Sequence, residues 1–165
     1  MKKEALGIDI GNVIINYRLT DKDDKSLWEE RYSTIPASEG MYEAIRELNE
    51  EKFHRNIFLV SKCTIWARDK ILAWLKDNDF YTKTGVNPKN IFFCRERHEK
   101  EKICTENDIT YFIDDRLEVL SHMVLKVPNL YLFQPNQAEV DKYKQFLPKV
   151  LRVENWAEVA EKIGI

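Results

Sequence analysis

The chain has 165 residues and a formal net charge of −2, from 26 basic and 28 acidic residues. This length favours a single domain over residues 1–165, and the balanced charge excludes a general attraction to nucleic acid or to membrane surfaces. Three cysteines without C-x-x-C spacing exclude a disulfide framework and a zinc knuckle, so we expect a cytosolic protein.

Short apolar runs alternate with amphipathic segments along the chain. The runs are brief and rich in β-branched or aromatic residues, which predicts five buried strands. They cover residues 5–10, 56–60, 91–94, 109–113 and 130–133. The amphipathic segments predict helices over 38–51, 64–78, 116–123 and 138–147, and a closing helix within 153–165. Such alternation predicts an α/β three-layer sandwich with a five-stranded, mainly parallel, Rossmann-like sheet.

Three local features of these segments lead to further expectations. The polar stretch 16–36 follows the first strand and predicts a flap or short helical insert, with Trp28 as a candidate substrate contact. Ser38 is a candidate cap for the helix after it. Trp66 and Trp74 are spaced to share one helix face, so we expect both to pack on the sheet or cover its edge.

Polar residues follow four of the five predicted strands, where a parallel α/β sheet places its ligands. In chain order they are Asp9 with Gly11 and Asn12, then Ser61, then the run that contains Lys100 and Lys102, then the pair Asp114 and Asp115. Carboxylates brought together at one sheet edge repel one another unless a cation shares them. Mg²⁺ suits such oxygen ligands and usually takes a substrate phosphate as well.

The remaining polar groups suit a phosphoryl group held beside that cation. Ser61 can donate a hydrogen bond to it, and Lys100, or Lys102 in its place, can neutralise its charge. The main-chain N–H groups of Gly11 and Asn12 can hold its oxygens. Asp9 then remains as the attacking oxygen.

This order of Asp, Ser, Lys and Asp-Asp, each at its own strand end, resembles the haloacid dehalogenase superfamily, whose members are mostly magnesium-dependent phosphatases. The resemblance extends from Asp9 through "VSKC" and "RHEKEK" to "FIDDR". It implies that Asp9 forms a phospho-aspartate and that Ser61 and Lys100 bind the phosphoryl group. It further implies a magnesium site. Its ligands would be Asp9, the Gly11 carbonyl, Asp114 and Asp115.

The sequence departs from the family pattern at Gly11, where a second Asp usually protonates the leaving group and later activates water. A general acid/base contributes about 10²- to 10⁴-fold, so we expect a slow enzyme or one restricted to good leaving groups. Magnesium binding is unaffected, because the family's ligand at this position is a main-chain carbonyl. His98 and Glu99 are the alternative proton donors that we consider.

Several other interpretations remain open at this point. Gly11 also fits a module that binds phosphate and metal without turnover. A phospho-receiver domain shares the residue types, but receivers place their acid pair after the first strand. The acid pair here could instead belong to a surface ion network, and Arg95 and Arg97 could bind a second phosphate or only solvate their loop.

The leading hypothesis is a cytosolic, Mg²⁺-dependent phosphohydrolase with little or no cap. Its partner would be a phosphorylated substrate, either a small molecule or an exposed phosphate of a macromolecule such as a nucleic-acid end. The sequence has no run of about 18 apolar residues, so we expect no membrane partner.

Overall fold

A parallel sheet organises residues 3–165, the part of the chain that the computed structural model describes. Within that range it has six strands: β1 Leu6–Ile8, β2 Ile57–Lys62, β3 Ile91–Cys94, β4 Tyr111–Asp114, β5 Asn129–Phe133 and β6 Leu151–Val153. The strand order is β3-β2-β1-β4-β5-β6, and every neighbouring pair is parallel. Because β1 lies between β2 and β4, the residues that follow these three strands meet at the centre of one sheet edge.

Helices connect the strands and cover both faces of the sheet. They are α1 Lys25–Glu29, α2 Met41–Leu48, α3 Ile65–Asp77, α4 Phe80–Thr84, α5 Glu99–Glu106, α6 Leu117–Ser121, α7 Gln137–Lys142 and α8 Trp156–Ile163. Short 3₁₀ turns lie at Tyr17–Leu19, Tyr32–Thr34 and Lys144–Lys149, and a π turn extends α2 over Asn49–Phe53. None of the helices in residues 3–165 is long and apolar enough to cross a membrane.

Two separate hydrophobic clusters give the fold its three layers. In β4, Tyr111 and Ile113 belong to one cluster and Phe112 to the other, because successive residues of a strand point to opposite faces. The first cluster also contains the buried residues of α2, α3 and α8, and the second contains those of α5, α6 and α7. The predicted α/β sandwich with a parallel sheet is therefore confirmed.

The sheet has six strands rather than the predicted five. The additional strand, β6, is three residues long and pairs with β5 at the sheet edge. Leu151 and Arg152 are exposed, so the segment lacks the apolar run that identified the other strands. The helix predicted over 138–147 is shorter in the structure. α7 ends at Lys142, and a 3₁₀ turn over Lys144–Lys149, which contains Pro148, follows it.

Two predictions about individual side chains are wrong. Trp74 is buried and donates from Nε1 to the Ile35 carbonyl at 2.8 Å, but Trp66 is 52% exposed. Eight residues turn an α-helix about 80° past two full turns, so the two indoles leave the helix in different directions. Ser38 does not cap α2. Gly40 occupies the cap position, and the Ser38 hydroxyl has no hydrogen-bond partner within residues 3–165.

The segment 16–36 contains α1 and two 3₁₀ turns and lies against α3. Besides the Trp74 bond, Asn78 donates from Nδ2 to the Ser33 carbonyl at 2.9 Å, and the Ser33 hydroxyl donates to Asp77 at 2.6 Å. These bonds attach the end of the segment to the C-terminal half of α3. They hold the segment in place beside the carboxyl-terminal ends of the strands.

A glycine at the centre of the sheet gives a stability test. A Cβ on Gly7 would lie 2.4 Å from Cδ2 of Phe112, so Gly7→Ala should lower the free energy of unfolding by about 1–3 kcal/mol through overpacking. Urea denaturation of Gly7→Ala in the wild-type and Phe112→Leu backgrounds measures this. The loss should shrink in the second background, and an equal loss in both would exclude the Phe112 ring as its cause.

Candidate active site

Acidic side chains from two adjacent strands meet at the centre of the sheet edge. Asp9 follows β1, and its main-chain N–H donates to the Ile113 carbonyl of β4 at 2.9 Å. Asp114 ends β4 and Asp115 follows it. One carboxylate oxygen from each of Asp9, Asp114 and Asp115 lies within 4.8 Å of the other two. The strand order therefore produces the cluster that the motif order predicts.

Lys100 joins two of these acids from the first turn of α5. Its Nζ donates to Oδ1 of Asp9 and to Oδ2 of Asp114, at 2.8 Å in each case. The Lys100 side chain is 3% exposed, so this ion-pair network is buried. Lys102, the alternative considered from sequence, is 77% exposed and pairs with Glu106 on the surface of the helix.

Burial raises the pKa of all three carboxyl groups, so each keeps its proton to a higher pH than an exposed Asp does. It raises the pKa of Asp9 to about 6, although Lys100 opposes this rise, and it raises the pKa of Asp114 to about 6 with a further contribution from Asp9. The pKa of Asp115 is also about 6, because burial and the neighbouring Asp114 both raise it. Burial alone would lower the pKa of Lys100, but Asp114 and Asp9 together raise it above its usual value.

Asp115 has polar partners at the outer side of the cluster. Asn12 donates from Nδ2 to Oδ2 of Asp115 at 3.3 Å, and a guanidinium nitrogen of Arg18 lies 3.8 Å from the same oxygen. Oδ1 of Asn12 is buried without a hydrogen-bond partner in the described chain. The sequence analysis predicts that the Asn12 main-chain N–H holds a phosphate oxygen. In the structure this N–H instead donates to the Ile15 carbonyl at 2.8 Å, so it is not available to a phosphate.

These residues fit a divalent cation. Lys100 balances one of the three carboxylates, and Arg18 reaches only Asp115, from an exposed position at the rim. Asp9 and Asp114 are buried, Asp115 is half-buried, and the three carboxylates are close enough to share one ion. Oδ1 of Asn12 is a further acceptor that receives no hydrogen bond from the described residues. Oxygen ligands of this kind are typical of Mg²⁺ sites.

The acid cluster lines a cavity of about 440 Å³. Ser61, at the end of β2, is 3% exposed and lines the same cavity, as do Gly11 and Asn12.

Sequence reasoning missed Arg116 as a cavity residue, although it directly follows the acid pair. Its Nε is buried and has no partner among residues 3–165. Arg97 also lines the cavity, whereas Arg95 does not.

The proton donors considered from sequence lie elsewhere. His98 packs against His122 with ring centroids 6.4 Å apart, and Glu99 accepts the main-chain N–H of Glu96 at 3.0 Å. Neither His98 nor Glu99 is among the described residues that line the cavity. The structure therefore does not bring these two side chains to the acid cluster.

Tyr17 fills the space beside Gly11. A Cβ on Gly11 would lie 3.0 Å from Cε2 of the Tyr17 ring. That ring also packs against Trp28 and Tyr32, and the two tyrosine hydroxyls are hydrogen-bonded to each other. A side chain at position 11 would therefore require this ring, which other contacts hold, to move by a few tenths of an ångström.

This contact predicts coupling between positions 11 and 17. Gly11→Ala should lower the free energy of unfolding by about 1 kcal/mol, and the loss should disappear in a Tyr17→Ala background, because contacting residues are non-additive. Thermal or urea denaturation of the four proteins measures the coupling. Additive effects would mean that the Tyr17 ring does not restrict position 11.

No protein-family model matches the chain. A protein of Oceanobacillus iheyensis that is provisionally named a nucleotidase is 26% identical over 109 residues, which are 63% of this chain and 55% of that protein. The chain thus spans about half the length of this relative.

Solved structures resemble the whole chain. D,D-heptose 1,7-bisphosphate phosphatase from B. bronchiseptica, complexed with magnesium and phosphate, superposes with a TM-score of 0.68 at 18% identity over 97% of both chains. A protein of Burkholderia xenovorans LB400, provisionally named a haloacid dehalogenase-like hydrolase, gives 0.67 at 10% identity over 98% of this chain and 99% of that one. Phosphoserine phosphatase gives 0.56 at 13% identity over 98% of both. The chain therefore has the haloacid dehalogenase-like fold, as its order of motifs predicts.

Proposed function

We propose that the chain is a Mg²⁺-dependent phosphohydrolase that acts through a phospho-aspartate on Asp9. The observation that carries this proposal is the buried cluster of Asp9, Asp114 and Asp115 with Lys100 between them, at the edge of the sheet where ligands bind. The fold of the chain supports the same class of reaction.

In this mechanism Asp9 is the nucleophile. Lys100 holds Oδ1 of Asp9, which leaves the other carboxylate oxygen to attack phosphorus as the bond to the leaving oxygen breaks. Lys100 and Ser61 bind the oxygens of the transferred phosphoryl group. Attack of water on the phospho-aspartate then releases phosphate and restores the carboxylate.

Asp9, Asp115, Asp114 and the Gly11 carbonyl would hold Mg²⁺. When bound there, the ion would supply positive charge beside the carboxylates and the phosphoryl oxygens. Asp114 also has a positioning role in the protein itself, because its Oδ1 accepts the Arg116 main-chain N–H at 3.0 Å and its Oδ2 accepts from Lys100.

The proposed enzyme is slow with alcohols that leave poorly. Gly11 provides no carboxyl for proton transfer, and Tyr17 occupies the adjacent space. We therefore expect turnover to depend strongly on the leaving group, so that an aryl phosphate is hydrolysed faster than an alkyl phosphate.

The site suits a small phosphorylated molecule. Its cavity of about 440 Å³ lies within the usual range for small ligands, and the segment 16–36 forms one wall of it in place of a separate cap domain. The provisional name of the Oceanobacillus iheyensis relative makes nucleotides one class to test. A cytosolic location accords with the free thiols of Cys63, Cys94 and Cys104.

A binding module without turnover is the second candidate, and the contact between Gly11 and Tyr17 favours it. Such a module would retain Mg²⁺ and phosphate binding, because the acid cluster and Lys100 are intact. It differs from the enzyme in one measurable respect, the absence of phosphate release.

The nucleophile is tested by replacing Asp9. Asp9→Asn keeps the size of the side chain and should lower the rate of p-nitrophenyl phosphate hydrolysis by at least about 1,000-fold, since the attacking oxygen is lost. Asp141→Asn, which changes an exposed acid on α7, is the matched control and should retain the wild-type rate. Equal rates for wild type and Asp9→Asn would rule out the proposed nucleophile.

Magnesium binding is tested by thermal stability. Mg²⁺ should raise the melting temperature of the wild type by a few degrees through preferential binding to the folded state. The rise should be larger at about pH 7.5 than at about pH 5, because the carboxyl groups, with pKa values of about 6, hold protons at the lower pH. Asp115→Asn should reduce the rise and Asp141→Asn should not. A rise that is equal in all three proteins would contradict the assigned site.

A further inference from the structure

Aromatic side chains line the same cavity as the acid cluster. Tyr17, Trp28 and Tyr32 form one wall, with ring centroids 5.4 Å apart for Tyr17 and Trp28 and 6.0 Å apart for Trp28 and Tyr32. Trp66, in the first turn of α3, also lines the cavity. The cavity thus combines the acid cluster with several aromatic side chains.

Trp66 is large, apolar and 52% exposed, and packing within the fold does not account for this position. Its ring is nevertheless held in place. Nζ of Lys70 lies 5.6 Å from the centroid of the indole, and the same ammonium group donates a hydrogen bond to the Glu29 carbonyl. Because Glu29 directly follows Trp28, this single side chain links the turn of α3 that carries Trp66 to the end of α1, which carries Trp28.

The size of the cavity means that a phosphoryl group alone leaves most of it empty. At about 440 Å³ it has the volume of a site for a small organic ligand. Ala67 and Ile71 add apolar surface to the lining. The group attached to the phosphate would therefore meet rings and apolar side chains as well as the charged side chains of Lys62, Arg97 and Arg116.

We propose that Trp28 and Trp66 bind a planar aromatic ring of the substrate, so that the site takes phosphate monoesters that carry such a ring, as in a nucleoside monophosphate. This inference rests on the proposed function, because it assigns the leaving group of the same site. Lys70 covers one face of the Trp66 indole, and the ring of the substrate stacks on the opposite face. Stacking on aromatic side chains tolerates different bases, since every base has a π face.

The test compares substrates that have the same leaving alcohol. AMP and ribose 5-phosphate both release the 5-hydroxyl group of ribose, and only AMP carries a planar aromatic ring. The wild type should have a KM for AMP about tenfold below its KM for ribose 5-phosphate. Trp66→Ala should remove most of this difference, and Trp66→Phe should restore it. Pyridoxal 5′-phosphate is the second ring-bearing probe.

Ile65→Ala is the matched control. It removes an exposed apolar side chain from the same turn of α3, and among the described residues Ile65 is not part of this cavity lining. The KM ratio of Ile65→Ala should equal that of the wild type. A loss with Trp66→Ala for AMP alone identifies a nucleobase as the ring, whereas a loss for both AMP and pyridoxal 5′-phosphate identifies any planar ring.

The inference is overturned if the wild type does not distinguish AMP from ribose 5-phosphate, or if Trp66→Ala leaves their KM ratio unchanged. Hydrolysis of neither p-nitrophenyl phosphate nor any of these three alkyl phosphates would instead count against the proposed function, whereas hydrolysis of p-nitrophenyl phosphate alone would leave it standing. Ring binding is then measured directly, by calorimetric titration of AMP and ribose 5-phosphate into the wild type and Trp66→Ala. Preferential binding of AMP that Trp66→Ala abolishes supports the inference, and equal binding overturns it.

Discussion

The site depends on the repulsion among three carboxylates that the sheet brings together. The burial that raises their pKa values is imposed by the fold, because Asp9 and Asp114 end neighbouring central strands. Lys100 relieves only part of this repulsion through its contacts with both side chains. In the proposed enzyme, binding of Mg²⁺ to these carboxylates should therefore also stabilise the folded state.

The positions of the main site residues follow from the sequence because parallel sheets direct their strand ends to one edge. Asp9, Ser61 and Asp114 each end or follow an apolar run, and this signal is local enough to detect without a structure. Lys100 could be placed only by the resemblance to a known family. Its neighbour Lys102 has the same local environment in sequence, and only the orientation of α5 separates the buried side chain from the exposed one.

Other features depend on contacts between segments that are distant in sequence. The Asn12 N–H is lost to phosphate because the chain turns back and pairs it with Ile15. The exposure of Trp66 depends on where α3 lies, and β6 forms only because β5 offers a free edge for a short, mainly exposed segment. Hydrophobic pattern alone contains none of this information.

The segment 16–36 connects the unusual features of the site. The Tyr17 ring contacts the position that a Cβ on Gly11 would take, and Trp28 borders the cavity with Trp66. Gly11 and the aromatic wall are therefore parts of one packing arrangement. From the two proposals we expect the ring of the substrate and the ease with which its leaving group departs to determine the rate.

Locating the phosphoryl group during turnover tests whether Asp9 is the nucleophile. Rapid acid quenching of the wild type with Mg²⁺ and p-nitrophenyl phosphate, followed by mass spectrometry of its peptides, should find one phosphoryl group on Asp9. A phosphoryl group on another residue, or hydrolysis without any phosphorylated peptide, would contradict the assignment of the acid cluster as the catalytic centre.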